Sequence, residues 1–328
     1  MVRLQRLTRL NSGVLPSQAG KTAARVVISL ALAVVFVWFL SLRLADIVWA
    51  DVRAGFTAVP WHQWLAASIA TGISFWAVGH YDAVLHRHFA TGLPGPQTRR
   101  AGICAIAVSQ TTGLGVISGA IVRWRMLPGQ SLSQAVGLTI AVAVSFLAGW
   151  AVITAVVLLA LPDTPFQAAA AVVLTVAAGF GTVCLFARPD FVRLPNGITL
   201  LQLLGLCAVD TIAAGIAFYL LCPDGMNLTI GELLPVFLLA LGAGLLSGTP
   251  GGVGAFELTM LALLPAVSEP DLMAAVLAWR LIYFALPAVL GAGLAIKGPE
   301  ALPQTTLALP ICAATPPPSF CAQADLMH

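Results

Sequence analysis

Apolar residues in this chain come in long unbroken runs, not in the three- and four-residue spacing of a helix with one wet face. Eight runs are nearly free of charge: Ala24 to Leu42, Gln63 to Gly79, Ala101 to Val122, Gln134 to Leu161, Phe166 to Ala187, Ile198 to Cys222, Leu233 to Pro265 and Leu272 to Ile296. About 20 apolar residues suffice to cross a bilayer as a helix, so the pattern predicts an all-α polytopic membrane protein. Glycine interrupts two of the runs. The first break, TTGLGVISG from Thr111 to Gly119, contains Gly113, Gly115 and Gly119; the second, SGTPGGVGAFE from Ser247 to Glu257, contains Gly248, Pro250, Gly251, Gly252 and Gly254. Gly and Pro at this density break a helix, and non-helical backbone at membrane depth persists only where protein or a water-filled cavity satisfies it. Each broken run is therefore a kinked span or a re-entrant hairpin.

Positive charge separates these two, because short cytoplasmic loops carry the excess of Lys and Arg. If both broken runs return to the side they came from, 13 cations lie inside: Arg3, Arg6, Arg9, Lys21, Arg25, Arg87, Arg99, Arg100, Arg123, Arg125, Arg188, Arg193 and Lys297. Only Arg43 and Arg53 lie outside, and Arg280 falls within a run. If both cross fully, the loops of Arg123 and Arg188 turn outward and the split falls to 9 against 6. The re-entrant arrangement predicts about six full spans with both termini in the cytoplasm. It also exposes an order that recurs: full span, broken run, full span at Gln63 to Leu161 and again at Ile198 to Ile296. The two halves have opposite orientation, the inverted-repeat pattern of transporters whose half-helices meet around a midplane site. Small residues that merely let helices pack closely are the plainer alternative.

Composition agrees with lipid as the solvent. Of 328 residues, 59% are hydrophobic and 9% charged, and the mean hydropathy is +0.95, against about 25% charged in ordinary globular chains. A water-soluble enzyme is excluded, as is nucleic acid as main partner, since a net charge of +3 leaves no basic stripe. The six cysteines form no CxxC pair, and four of them (Cys104, Cys184, Cys207, Cys222) sit in apolar runs as small hydrophobes. His86-Arg87-His88 is the only local cluster of metal-ligand type, and it reads as a solvated interfacial loop; no metal is expected. The first run is long for a signal peptide and is read as a retained span. Residues 1–23 form a basic cytoplasmic segment, 24–297 the membrane domain, and 298–328 a Pro-rich tail without a fold of its own.

Three charges stand within runs: Asp210, Glu257 and Arg280. A charge at the centre of a membrane helix costs roughly 2.5 to 3.5 kcal/mol on insertion scales, so it faces a cavity or a partner. An ion pair of Arg280 with Asp210 or Glu257 is the structural reading; contact with a substrate is the functional one. Glu257 can also cap a half-helix, although the free N–H groups after Gly251, Gly252 and Gly254 equally suit a phosphate. His80, Tyr81 and Asp82 end the second span near the interface. Arg123 and Arg125 leave the first break, either to guide an anionic headgroup or as topology anchors. No nucleophile with a base is evident, since Ser247 and Thr249 lack a nearby His.

The stretches GHYDAVLHRHF, SQTTGLGVISGAIVRWRML, LLSGTPGGVGAFELTMLALLP and WRLIYFALPAVL, in this order, resemble the lysylphosphatidylglycerol synthase transmembrane region. That region is the flippase half of MprF-type proteins and of stand-alone YbhN-like relatives. The resemblance covers about Ala24 to Ile296 and implies a transporter that moves a polar-headgroup phospholipid, such as an aminoacyl-phosphatidylglycerol, between leaflets. It implies no cofactor. Site residues carried over are Tyr81 and Asp82, Arg123 after the first break, Glu257 after the second, and Arg280 with Tyr283; Asp210 finds no counterpart. The chain stops about 30 residues after its last span, so the family's aminoacyl-transferase activity is not expected. Membrane phospholipids are the expected partners, with a separate lipid-modifying enzyme or a second copy of the chain also compatible. The rival readings are a non-transporting membrane subunit that docks such an enzyme, and a lipid-modifying enzyme embedded in the membrane.

Overall fold

The computed structural model describes residues 49–112, 115–161, 165–186, 194–223 and 226–298. The predicted span Ala24 to Leu42, the basic segment 1–23, Gly113, Arg188, Arg193 and the tail from residue 299 lie outside the described residues. Among those described, every regular element is helical: α1 (Trp49–Ala58), α2 (Trp61–His88), α3 (Gly95–Thr112), α4 (Gly115–Met126), α5 (Leu132–Leu159), α6 (Gln167–Phe186), α7 (Gly197–Leu220), α8 (Ile230–Ser247), a 3-10 turn (Pro250–Gly252), α9 (Ala255–Leu263), α10 (Glu269–Arg280), a π turn (Leu281–Ala285) and α11 (Leu286–Lys297).

Among the described residues, five helical stretches are long and apolar enough to cross a membrane: Leu132–Leu159, Gln167–Phe186, Gly197–Leu220, Ile230–Ser247 and Glu269–Lys297. The chain is thus a multi-pass all-α membrane protein. Four of the five coincide with predicted full spans, while Ile230–Ser247 is the first arm of the second broken run. Helix α2 is diluted by polar residues, yet Leu65, Ile69, Ile73 and Trp76 make an exposed apolar stripe on it at helical spacing. Its other face is inward. Side-chain caps start several helices: Ser131 with Gln134 and Thr229 with Glu232 form capping boxes, and Asn196 accepts from the Thr199 N–H.

Both broken runs fold back on themselves. In the first, Thr112 bonds Ser118 at 2.9 Å, Gly119 faces Ser109, and Ala101, Cys104 and Ala105 cluster with Val122, Met126 and Leu127. The pairing is antiparallel, so α4 returns to where α3 began. With 12 residues, α4 is only about 18 Å long and cannot cross a core of about 30 Å. The second run does the same: Gly252 meets Gly244 backbone to backbone, and Phe237 lies 5.8 Å from Phe256. Glycines 248, 251, 252 and 254 all have positive φ, which a side chain resists, and this explains their density there.

The hairpins interlock with the opposite half of the chain. Gly291 of α11 lies against Ala107 and Cys104 of α3, and the Trp150 indole of α5 donates to Leu238 O of α8 at 3.0 Å. Between them α2 packs along α7, with Ser74 and Asp210, each the fourteenth residue of its helix, in contact. The two ends of the bundle differ in charge. Arg125 donates to Ala295 O and Ile296 O at 2.9 and 3.0 Å, capping the carbonyl end of α11 and bringing Arg125 and Lys297 to the end where α3 starts with Arg99 and Arg100. At the other end Gly55 of α1 sits against Asp271 and Ala274 of α10 and against Pro223, near the starts of α8 and α10 with Glu232, Glu269 and Asp271.

Candidate functional site

A cavity of about 370 Å3 lies where the two hairpin tips approach α2, α5, α7 and the π turn. Gly115 and Gln110 contribute from the first hairpin, Gly248, Thr249, Gly251 and Gly252 from the second, and Tyr81, Asp82, Asp210 and Tyr283 from the surrounding helices. The sequence thus brings four candidate side chains and four candidate break glycines to one space. Arg123, Glu257 and Arg280 do not line it.

Asp210 is 5% exposed. Its Oδ1 accepts a hydrogen bond from the Ser74 hydroxyl and another from the Tyr283 hydroxyl at 3.3 Å, and the two hydroxyls are 2.9 Å apart. No Arg or Lys among the described residues pairs with it. Tyr283 is placed by the π turn, a helix irregularity that recurs at functional sites. The turn is gripped from two sides: Gln110 Nε2 donates to Tyr283 O at 2.9 Å, and Arg280 Nη1 donates to Gly251 O at 3.0 Å. One short element therefore ties both hairpin tips to the acid in the cavity wall. An aromatic stack of Phe256, Trp279 and Tyr283, with centroids 5.1 Å apart at each step, closes that wall, and the buried Trp279 N–H has no hydrogen-bond partner among the described residues.

The remaining charges are spent within the protein. Arg280 Nε donates to Glu257 Oε1 at 2.8 Å, and Glu257 Oε2 accepts from the Gly254 N–H at 2.7 Å. Glu257 both caps α9 and pairs with Arg280, which leaves Asp210 out of that pair. The amides of Gly252 and Val253 bond Thr249 O and Pro250 O, so these N–H groups and that of Gly254 are not free for a phosphate. Arg123 is fully buried; its Nε and Nη2 donate to Asp82 Oδ1 at 3.2 and 2.7 Å and its Nη1 to Thr139 at 3.0 Å. It is no surface guide for a headgroup, and Arg125 is a helix cap.

Two sequence expectations need correction. The second span does not end at Gly79 with His80, Tyr81 and Asp82 at an interface: α2 continues to His88, and Tyr81 and Asp82 are buried. Nor is His86-Arg87-His88 a solvated loop, because these residues form the last turn of α2 and His86 is 2% exposed. The helix extends because α3 and α4 cover it. Gly102 of α3 lies directly over Asp82, where a Cβ would come within 2.6 Å of the Asp82 Cγ.

Sequence reasoning missed Ser74, Gln110, Thr139 and Trp279. A Ser seven residues before Tyr81 shares its helical face, and a Gln just before the first break was a visible polar outlier; neither Thr139 nor Trp279 carries such a signal.

No family model matches the chain. It is 29% identical over 262 residues to a cyanobacterial protein called "Uncharacterized protein slr0712", from Synechocystis sp., a match covering 73% of this chain and 80% of that protein.

Proposed function

We propose that this chain is a flippase-like transporter that moves a polar-headgroup phospholipid between leaflets of a bacterial cytoplasmic membrane, in the manner of the lysylphosphatidylglycerol synthase transmembrane region. The observation that carries this reading is the cavity between two broken-helix hairpins with an acid in its wall. At about 370 Å3 it lies at the small end of ligand pockets, roughly 300 to 1,000 Å3. That volume suits a headgroup while the acyl chains stay in the bilayer. Hairpin tips at the centre of the bundle match the layout in which discontinuous helices of two inverted halves face a midplane site. The basic end of the bundle then faces the cytoplasm, with both termini on that side.

Arg123 and Arg280 already hold carboxylates, so headgroup contact falls to the cavity-lining Asp210, Tyr283, Tyr81 and Gln110, with Ser74 holding Asp210 from behind. An ammonium group goes to Asp210, the acid without an Arg, and the remaining hydroxyl and amide groups serve the rest of the headgroup. Movement of either hairpin tip opens the cavity toward one leaflet.

Purified protein in liposomes with a fluorescent aminophospholipid in the outer leaflet tests this. Exchange should exceed that of protein-free vesicles and fall at least tenfold in Asp210→Asn, which keeps the shape and removes the charge. No exchange by the parent protein, exchange only with an added enzyme, or a new lipid species would each overturn the proposal, the last two in favour of a docking subunit and of an enzyme.

A further inference from the structure

Arg123 engages Asp82 through one carboxylate oxygen only, with both donors on Oδ1. A bidentate Arg would take both oxygens. Here Oδ2 is buried with no hydrogen bond among the described residues, and one turn further along α2 the buried His86 Nε2 also has none. The two atoms face each other 3.7 Å apart. The other ring nitrogen, Nδ1, lies 2.9 Å from the Thr91 hydroxyl, in the connection that follows α2, where Thr91 is half-buried and within reach of water. Asp82 lines the central cavity. The pair therefore bridges the basic end of the bundle and the cavity.

The geometry is one proton short. A neutral imidazole carries a single N–H. Placed on Nδ1, that hydrogen bonds Thr91 and leaves a bare nitrogen lone pair facing a bare carboxylate oxygen. Placed on Nε2, it points at an oxygen too distant for a hydrogen bond. A proton taken from water makes both nitrogens donors, Nδ1 to Thr91 and, after a small closure, Nε2 to Oδ2. As the new N–H bond forms, one O–H bond of the hydronium that delivers the proton breaks and water is released; no other covalent bond changes.

The added charge has one consequence within reach. The groups facing the pair are Arg123 from α4, Thr139 from α5 through Arg123, and Thr91 from the connection; α3 presents Gly102. Among the described residues Asp82 alone neutralises Arg123, and Arg123 ties α4 to α2 through this ion pair. An imidazolium at His86 divides that carboxylate between two cations and repels the guanidinium across it.

We propose that Asp82 and His86 bind a proton between them, and that its uptake at the basic end loosens the Arg123 clamp so that the first hairpin shifts against α2. This does not depend on what the cavity carries.

The test uses the full chain in lipid nanodiscs. Ring-15N resonances of labelled histidines are followed between pH 5 and 8, where histidine ordinarily changes charge, and His86 is identified by its loss in His86→Gln. In parallel, spin labels on the exposed positions Ile73 of α2 and Ile121 of α4 report the distance between these helices. The expected result is one proton gained at His86, with a distance shift that has the same midpoint and is absent from His86→Gln. A His86 ring that stays neutral throughout overturns the proposal, as does a titrating ring with a pH-independent distance. If His86→Gln does not fold, Thr91→Val removes the Nδ1 partner and the hydroxyl's long bond to His86 O, a carbonyl that keeps the Thr91 N–H, and must move the titration to lower pH; an unmoved midpoint has the same negative force.

Discussion

Replacing Glu257 and Arg280 singly and together measures how this pair is built. Arg280→Met deletes two hydrogen bonds and leaves Glu257 Oε1 buried without a cation, while Oε2 keeps the Gly254 N–H. Breaking a buried pair in this way costs about 3 to 5 kcal/mol. Glu257→Gln still accepts from Gly254 but turns an amide toward Arg280, whose side chain is 18% exposed and can shift toward water, so its cost falls at the lower end of that range. In the double variant no charge is stranded. What remains lost is the charged donor to Gly251 O, about 1.5 to 3 kcal/mol, partly offset by removing the desolvation of two ions. The singles thus sum to about 6 kcal/mol or more and the double costs about 2. A coupling of several kcal/mol should emerge from equilibrium unfolding in mixed micelles. Costs that add to within about 0.5 kcal/mol, the behaviour of independent sites, would refute the ion pair and return both charges to the list of free headgroup contacts.

Further outcomes follow from local geometry. Gly102→Ala should cost about 1 to 3 kcal/mol or more from overpacking against Asp82, whereas Gly137→Ala and Gly205→Ala, which meet nothing within 4 Å, should be neutral or stabilising by up to about 1 kcal/mol; thermal unfolding in detergent ranks the three. Thr139→Val removes one hydrogen bond from buried Arg123 and should cost about 1.5 to 3 kcal/mol in the same assay, while Thr175→Val on the exposed face of α6 changes little. Single cysteines replacing the exposed Pro96 and Ser133, in a background without native cysteines, should react with an impermeant maleimide from the same face of the membrane, and one replacing Ser268 from the opposite face. Labelling of the first two from opposite faces would sink the hairpin topology.

The sequence by itself determined the solvent and the breaks. Runs of 17 to 33 apolar residues fix helices in lipid because an unpaired backbone group there costs several kcal/mol, and glycines at 248, 251, 252 and 254 mark a backbone that must adopt positive φ. Asp210, Glu257 and Arg280 stood out for the same reason: a charge in an apolar run needs a partner or a cavity. Which of these it has was not written in the order of residues. Asp210 pairs with hydroxyls from α2 and the π turn, 136 and 73 positions away in the chain, so its neighbours depend on how α7 lies against both. Arg280 chose Glu257 because the fold-back of α9 brings that acid beside α10. Asp82 and His86 moved from a supposed interface to the interior because Gly102 lets α3 cover them. Periodicity and composition report on one helix and its solvent; partner choice among buried charges is settled by the packing of helices that share no local sequence.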